Sequence, residues 1–483
     1  MRLKNALIPA LCSWLLAACG GDSSPVAVAT PSASATVEKV NLSAASQTVR
    51  PGWEVDVSLE VVDSNGVRSR AVGPVQWASS DPGIATVASP TTFSGSSVRG
   101  LALGRATITA TVAGVRGTTE IDVRRDAPYS FARVSAGEKH TCATGKVGPP
   151  ACWGSNAQGQ LGNGTARDSA IPVEVLGIPA ADAVAAGAGF SCVASAGKIH
   201  CWGQNAFGQL GDGTTSDRWA PSASFPVLAD ESNRASLSAG SRHACAVADD
   251  GYFKEASCWG DNSSGQFGNG TTTNGVSSML IVNAVFDTIS AGAQHTCGVW
   301  RGKAYCWGGN EAGQLGDGSY ETRLIPSLAA REIVVHRIAT GLRHTCAVST
   351  SSKAYCWGDG SDGQLGNGSK SGSADPVAVA AELKFRQIAA GHAHTCGLTV
   401  DGIAYCWGSN SDGQLGDGTT TDSSKPVAVA GELRFESIAA GGWHGCGLTA
   451  DLVAYCWGSN SDGQLGNGTL SDSSVPVRVL QPS

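Results

Sequence analysis

FESIAAGGWHGCGLTADLVAYCWGSNSDGQLGNGTLSDSSVPVRVL, residues Phe435 to Leu480, is the last of seven close copies of one unit. Each copy is marked by a Cys-Trp-Gly triplet, with the tryptophans at Trp153, Trp202, Trp259, Trp307, Trp357, Trp407 and Trp457. Four of the six intervals are 49 or 50 residues, and the longest, from Trp202 to Trp259, is 57. A period near 50 built from short β-rich runs indicates a propeller or array, because one such unit cannot bury its apolar face alone.

Within the sixth copy, Gln387 to Gly391 reads as a short strand of small residues suited to a crowded propeller centre. Thr395 to Thr399 and Ile403 to Trp407 read as the arms of a hairpin. The glycines of Asp412 to Gly418 permit a sharp turn at positive φ, and Lys425 to Val429 reads as an edge strand with Pro426 at its start.

This unit closely resembles the RCC1 repeat, whose hallmarks are Gly-x-x-His-Thr, an aromatic-x-Trp-Gly and Gly-Gln-Leu-Gly. The resemblance implies an all-β chain whose seven repeats close into a seven-bladed propeller. Departures are local: Phe190 replaces the histidine, Phe267 replaces the leucine, and the third unit is lengthened from Tyr252 to Ala256. Because the chain enters on the Ala-Gly strand and leaves on the Pro-Val strand, the two ends are expected to complete one blade between them.

Composition agrees with turn-rich β structure, with 64 Gly and only 15% charged residues in 483. A net charge of −7, with no basic cluster beyond Arg124-Arg125, argues against nucleic acid as the partner.

The chain opens with Arg2 and Lys4 followed by a short apolar run ending Leu16-Ala17-Ala18-Cys19, which resembles the bacterial lipobox. The resemblance implies removal of residues 1–18 and lipidation of Cys19; Gly20 after it favours an outer membrane. Residues 19–36 are rich in Gly, Ser, Pro and Ala and read as a tether. Residues 37–124 alternate apolar and polar positions, as in Val55 to Val61, and predict a small β-sandwich with Trp77 as an anchor. Gln76 to Pro82 and Gly100 to Ile108 resemble the bacterial Ig-like group 2 module, a spacer or adhesive unit. The propeller is then expected over residues 129–483.

Fourteen cysteines fall two to a repeat: Cys142 with Cys152, Cys192 with Cys201, Cys245 with Cys258, Cys297 with Cys306, Cys346 with Cys356, Cys396 with Cys406 and Cys446 with Cys456. In an exported chain this predicts disulfides. Counting outward from the loop Ala196-Gly197 sets Cys192 opposite Cys201, and from Val400-Asp401-Gly402 sets Cys396 opposite Cys406. Both are non-hydrogen-bonded positions with Cα atoms about 4.5 Å apart, within bridging range. Zinc would ask for CxxC-type or mixed Cys/His spacing, which these pairs match only loosely.

His140, His243, His295, His344, His394 and His444 occupy one repeat position, which reads as a hydrogen-bonding device of the fold rather than a metal ring. Asp412, Asp417 and Asp422 lack the order of a calcium loop, and no cofactor or metal is expected. Nor does any nucleophile-base set or carboxylate pair stand apart from the repeat. Residues that the repeat does not dictate are free to bind: Phe190, Phe207, Arg218, Trp300, Arg301, Tyr320, Arg343, His392 and Trp443, and above all Trp219, Phe225, Tyr252 and Phe253 in the irregular second and third units.

These features predict a non-enzymatic, lipid-anchored recognition protein of the cell envelope, binding a protein or extracellular polymer. Resemblance supplies alternatives. A secreted propeller of this kind inhibits a β-lactamase, which implies enzyme inhibition; the family name implies guanine-nucleotide exchange, at odds with the export signal and paired cysteines. An extracellular hydrolase or lyase would need acid and base groups converging in one pocket.

Overall fold

The structure is a computed structural model, which describes residues 36–482 except 72–73, 88–94, 125–128, 223–224, 227–235, 250–253, 282–284 and 381. Cys19 and the tether before residue 36 lie outside the described residues.

Residues 37–123 form a two-sheet sandwich. One sheet orders strands Val37–Ala44, Glu54–Asp63, Gly95–Gly100 and Ala85–Val87, with Arg68–Ser69 added to the second; the other orders Thr48–Val49, Val115–Val123, Gly104–Val112 and Val75–Ser79. The period of two read from the sequence is realised directly: Val55, Val57, Leu59 and Val61 point inward from one sheet, and Ala106, Ile108, Ala110 and Val112 from the other. Trp77 is only partly buried and packs between two core clusters. The better-sealed indole is Trp53, 5% exposed, at the boundary with the propeller.

Seven four-stranded antiparallel blades follow, at 131–174, 183–226, 236–280, 288–329, 335–378, 385–428 and 435–478. Each is contiguous in sequence, so the expected blade shared between the two ends does not form. The ring instead closes by repeating between blades 7 and 1 the contacts made at the other joints. Gly442 N–H donates to Gly137 O at 2.9 Å, as Leu342 N–H does to Gly391 O at 3.2 Å. Trp153 Nε1 donates to Gln464 O at 2.9 Å, as Trp407 Nε1 does to Gln364 O at 2.9 Å. The Trp–Gln bond recurs at all seven joints, so the ring closes without an exchanged strand.

The two central strands of each blade are joined face to face by a disulfide. The bridges run from Cys142 to Cys152, Cys192 to Cys201, Cys245 to Cys258, Cys297 to Cys306, Cys346 to Cys356, Cys396 to Cys406 and Cys446 to Cys456, with Cα atoms 4.0–4.1 Å apart. All seven link the pairs expected from the sequence. Strand register accounts for them, since Cys142 stands directly opposite Cys152, Cys297 opposite Cys306 and Cys346 opposite Cys356, as Cys192 does Cys201 and Cys396 does Cys406. In the middle of each blade these sulfurs are buried and pack with the tryptophan of the following blade, as Cys346 and Cys356 do with Trp407 and Cys396 and Cys406 with Trp457.

The two domains share one apolar core. Val49, Trp53, Val55 and Val57 of the sandwich are continuous with Tyr129, Phe131 and Val147 of blade 1 and with Leu448 and Val479 of blade 7.

Candidate recognition face

The residues that recur in every repeat are consumed by joints between blades. Each tryptophan indole donates to the backbone carbonyl of a glutamine in the preceding blade, at 2.8–3.0 Å throughout. The threonine after the histidine donates its hydroxyl to the same carbonyl, as Thr345 does to Gln314 O at 2.8 Å and Thr395 to Gln364 O at 2.9 Å. With its single proton committed, that hydroxyl accepts from the imidazole of the preceding blade: His295 Nε2 meets Thr345 Oγ1 at 2.9 Å and His344 Nε2 meets Thr395 Oγ1 at 2.8 Å. The imidazoles so paired are therefore neutral Nε2–H tautomers.

Burial pushes their pKa values down from 6.5, to about 3 for His140, His295, His394 and His444 and to about 4 for His243 and His344. All six are fully buried. Five of them, all but His394, bond across a joint in this way, and none has a route to a solvent-borne ligand.

The loops joining the third and fourth strands are built the same way. Asn410 donates through Nδ2 to Thr419 O and Thr421 O, both at 3.1 Å, while its Oδ1 accepts from Leu415 N at 2.9 Å. Asp417 Oδ1 accepts from Thr419 N at 3.0 Å, and Asp422 Oδ1 from Asn410 N at 3.0 Å. These carboxylates shape the turn. Among the described residues no group of three or more His, Cys, Asp or Glu is arranged to hold a metal ion.

What remains is sorted by strand direction. In an antiparallel blade the first-to-second and third-to-fourth connections emerge at one end, and the hairpin between the central strands at the other. The sandwich sits at the hairpin end: Gly148, in the blade 1 hairpin, donates its N–H to Glu54 O at 3.1 Å. The opposite end is free of it.

That free end gathers several side chains the repeat does not dictate. The Arg242 guanidinium lies over the Phe207 ring at 4.7 Å. His392 meets Trp443 edge-on, with ring centroids 5.5 Å apart. Arg343 pairs with Glu311 at 3.7 Å and Lys139 with Asp462 at 3.8 Å. His392, with Glu138, Leu342 and the Ala-Gly strands, lines a narrow central channel of about 80 Å³, and Lys139, Arg242, Arg343 and Trp443 each follow one of its lining residues, Glu138, Ser241, Leu342 and Gly442. Burial lowers the His392 pKa, with Glu138 pulling it the other way.

The four residues singled out from the sequence are not brought together. Trp219, 51% exposed, takes a regular repeat position, lying against Gly159 of the preceding blade as Val276 lies against Gly208 and Leu324 against Gly265. Phe225 pairs through its backbone with Ile199. Tyr252 and Phe253 lie outside the described residues, and the paired residues flanking them, Asp249 and Lys254, stand at the hairpin end. Phe190 is fully buried, and Trp300 packs against Tyr305. The sequence points to Phe207, Arg343, His392 and Trp443 but not to Arg242. One signal could have found it, since the residue before the histidine position varies from copy to copy: Lys139, Gly189, Arg242, Gln294, Arg343, Ala393 and Trp443.

Residues 258–482 match the RCC1-like domain, and 152–194 and 196–247 match the regulator of chromosome condensation (RCC1) repeat. Residues 36–123 match the bacterial Ig-like domain (group 2). The chain is an RCC1-repeat propeller protein with an N-terminal bacterial Ig-like domain. Among solved structures, this RCC1-repeat protein is similar to human WBSCR16, with 24% identity, 68% of this chain and 92% of that one covered, and a TM-score of 0.60. It is also similar to yeast RCC1 (Prp20) in complex with Kap60, with 20% identity, 73% and 85% coverage and a TM-score of 0.60. A further structure of Prp20p from Saccharomyces cerevisiae, described with its binding to Gsp1p and histones, matches at 20% identity, 73% and 87% coverage and a TM-score of 0.61. At these identities the likeness is one of fold. No curated protein matches the RCC1-repeat chain.

Proposed function

We propose that this RCC1-repeat protein is a non-enzymatic, lipid-anchored binding protein of the bacterial cell envelope, attached to the outer membrane through Cys19. Its propeller presents the end opposite the Ig-like domain to a protein or polymer, and the Ig-like domain acts as a spacer. The export half of this reading rests on seven disulfides and a bacterial Ig-like domain. The binding half is carried by one observation: repeat residues are spent on joints, while Phe207, Arg242, Arg343, His392 and Trp443 gather at the free end outside the repeated joint contacts. Aromatic and arginine side chains are the types enriched in interface anchors.

The test has two arms. Cys19→Ala should move the protein from the membrane fraction to the soluble one. Immobilised full-length protein should retain a component of envelope extract that the Arg242→Ala and Trp443→Ala variants retain weakly, at unchanged melting temperature. Equal retention by all three proteins would remove this face from the reading.

A further inference from the structure

The outermost strand of a propeller blade is an open sheet edge, and folded proteins guard such edges with proline, charge or shortness. Blades 1, 4, 5, 6 and 7 do so in the same register. The residue just before the partner of the second cysteine is Pro172, Pro326, Pro376, Pro426 or Pro476, and each strand also carries a charged side chain, such as Glu174, Arg323 or Lys425. Among the described residues blade 2 presents the two-residue strand Phe225–Pro226 as its outer strand.

Blade 3 departs from all of them. Its outer strand, Gly275–Leu280, reads GVSSML, with neither proline nor charge. Cys258 pairs with Met279, so Ser278 holds the proline position. Met279 directs its backbone toward Cys258, and Ile281 N–H donates inward to Ala256 O at 3.0 Å. The alternating residues Ser278 and Leu280 therefore turn their N–H and C=O groups outward. The side chains are equally open: Val276, Met279 and Leu280 are 38%, 43% and 62% exposed. Ile325 of blade 4, 54% exposed, lies against Gly270 in the loop leading into this strand.

We infer that the Gly275–Leu280 edge is a β-augmentation site, taking an extended, uncharged and proline-free segment of a partner protein as a fifth strand of blade 3. Backbone pairing at Ser278 and Leu280 supplies affinity, and the exposed Met279 and Leu280, standing on opposite faces of the strand, favour apolar side chains in the occupant. The absence of charge on the strand matches an uncharged occupant. A second copy of the chain is disfavoured by size: six residues make an edge of roughly 20 Å, whose burial falls well short of the ~1,600 Å² of a stable protein interface. This surface lies on the rim and is distinct from the loop face proposed above.

The test uses the full chain and a fluorescent octapeptide of alternating threonine and valine with both ends capped. Wild-type protein should bind it, with slowed amide exchange at Ser278 and Leu280. Ser278→Pro, which copies five other blades and breaks no inward hydrogen bond, should weaken binding by at least about tenfold, and Ser278→Ala should leave it within about twofold. No binding by the wild type, or equal binding by Ser278→Pro at unchanged melting temperature, overturns the site. A wild-type dimer that Ser278→Pro converts to monomer in sedimentation overturns the choice of occupant in favour of a second copy.

Discussion

Phe190 of blade 2 and Ala244 of blade 3 depart from the repeat together, filling in one core cluster the places that other joints give to an imidazole and the hydroxyl receiving its proton. A histidine without that hydroxyl would leave a buried donor unmade, so losing both partners at once is the inexpensive change. The joint between blades 6 and 7 shows the uncompensated case. His394 is retained, but Gly445 replaces the threonine, and His394 Nε2 finds no hydroxyl; only the His444 backbone lies near enough to steady its charge.

His394→Phe should therefore cost at least about 1 kcal/mol less stability than His344→Phe, which strips Thr395 of the hydrogen bond it accepts and crowds it with a larger ring. Denaturant unfolding of the two variants checks this. An equal loss in both would mean that the hydroxyl contributes nothing to the joint.

Acid should weaken the fold in a window set by these imidazoles. Their folded pKa values, about 3 to about 4, lie below the ordinary 6.5, so the unfolded chain takes up protons that the folded chain refuses. Their contribution is complete above pH 6.5 and is lost as pH falls toward 3, by up to about 1.4 kcal/mol per pH unit for each group. Asp56, Asp182 and Glu174, raised chiefly by burial, act in the opposite sense as they protonate at lower pH. Melting temperature should drop between pH 6.5 and 4.5, with proton uptake on unfolding; a flat profile would contradict neutral buried imidazoles.

The hairpin disulfides make a separate contribution. Each spans 9 to 13 residues, as from Cys446 to Cys456, so removing one pair by Cys446→Ala with Cys456→Ala should cost somewhat under ~3 kcal/mol in the chain-entropy account. Non-reducing peptide mapping should recover links within repeats only. Links between repeats would contradict the register.

The sequence makes legible whatever the repeat enforces, because seven in-phase copies report the same constraint. Blade number, hairpin register, the bridged pairs and the structural role of histidine all belong to that class. Ring closure is not legible, because the strand order of a single copy does not say where one blade ends and the next begins; the pairing of Phe131–Ala136 with His140–Gly145 inside blade 1 settles that only in three dimensions. Trp219 reads as free in sequence because its counterparts Ala170, Val276, Leu324, Ala374, Ser424 and Ser474 share no chemistry, although all take one position against a turn glycine. Arg242 is hidden for the converse reason: its significance lies in Phe207, 35 residues earlier and in another blade.

Trp53 is the residue on which the joint between the two domains turns. Its indole N–H donates to Glu174 Oε1 at 3.0 Å, its ring meets Tyr129 edge-on at 5.5 Å, and the Arg50 guanidinium covers it at 4.7 Å. Gly148 sits at a φ of +89°, and a Cβ there would fall 2.5 Å from the indole, so close approach of the blade 1 hairpin requires glycine. Around this contact Arg50 Nη1 donates to Pro482 O at 3.3 Å and Tyr129 N donates to the Gln481 side chain at 2.6 Å, tying the chain's tail into the same joint. The sandwich thus braces the meeting of blades 1 and 7, where no peptide bond connects neighbours. Trp53→Ala should cost about 3–5 kcal/mol at the joint and split one cooperative melting transition into two, with amide exchange rising at Gly442 and Phe131 on either side of the seam. If the variant still melts in one transition, with exchange at both sites unchanged, the Ig-like domain does not brace the seam and the ring closes without its help.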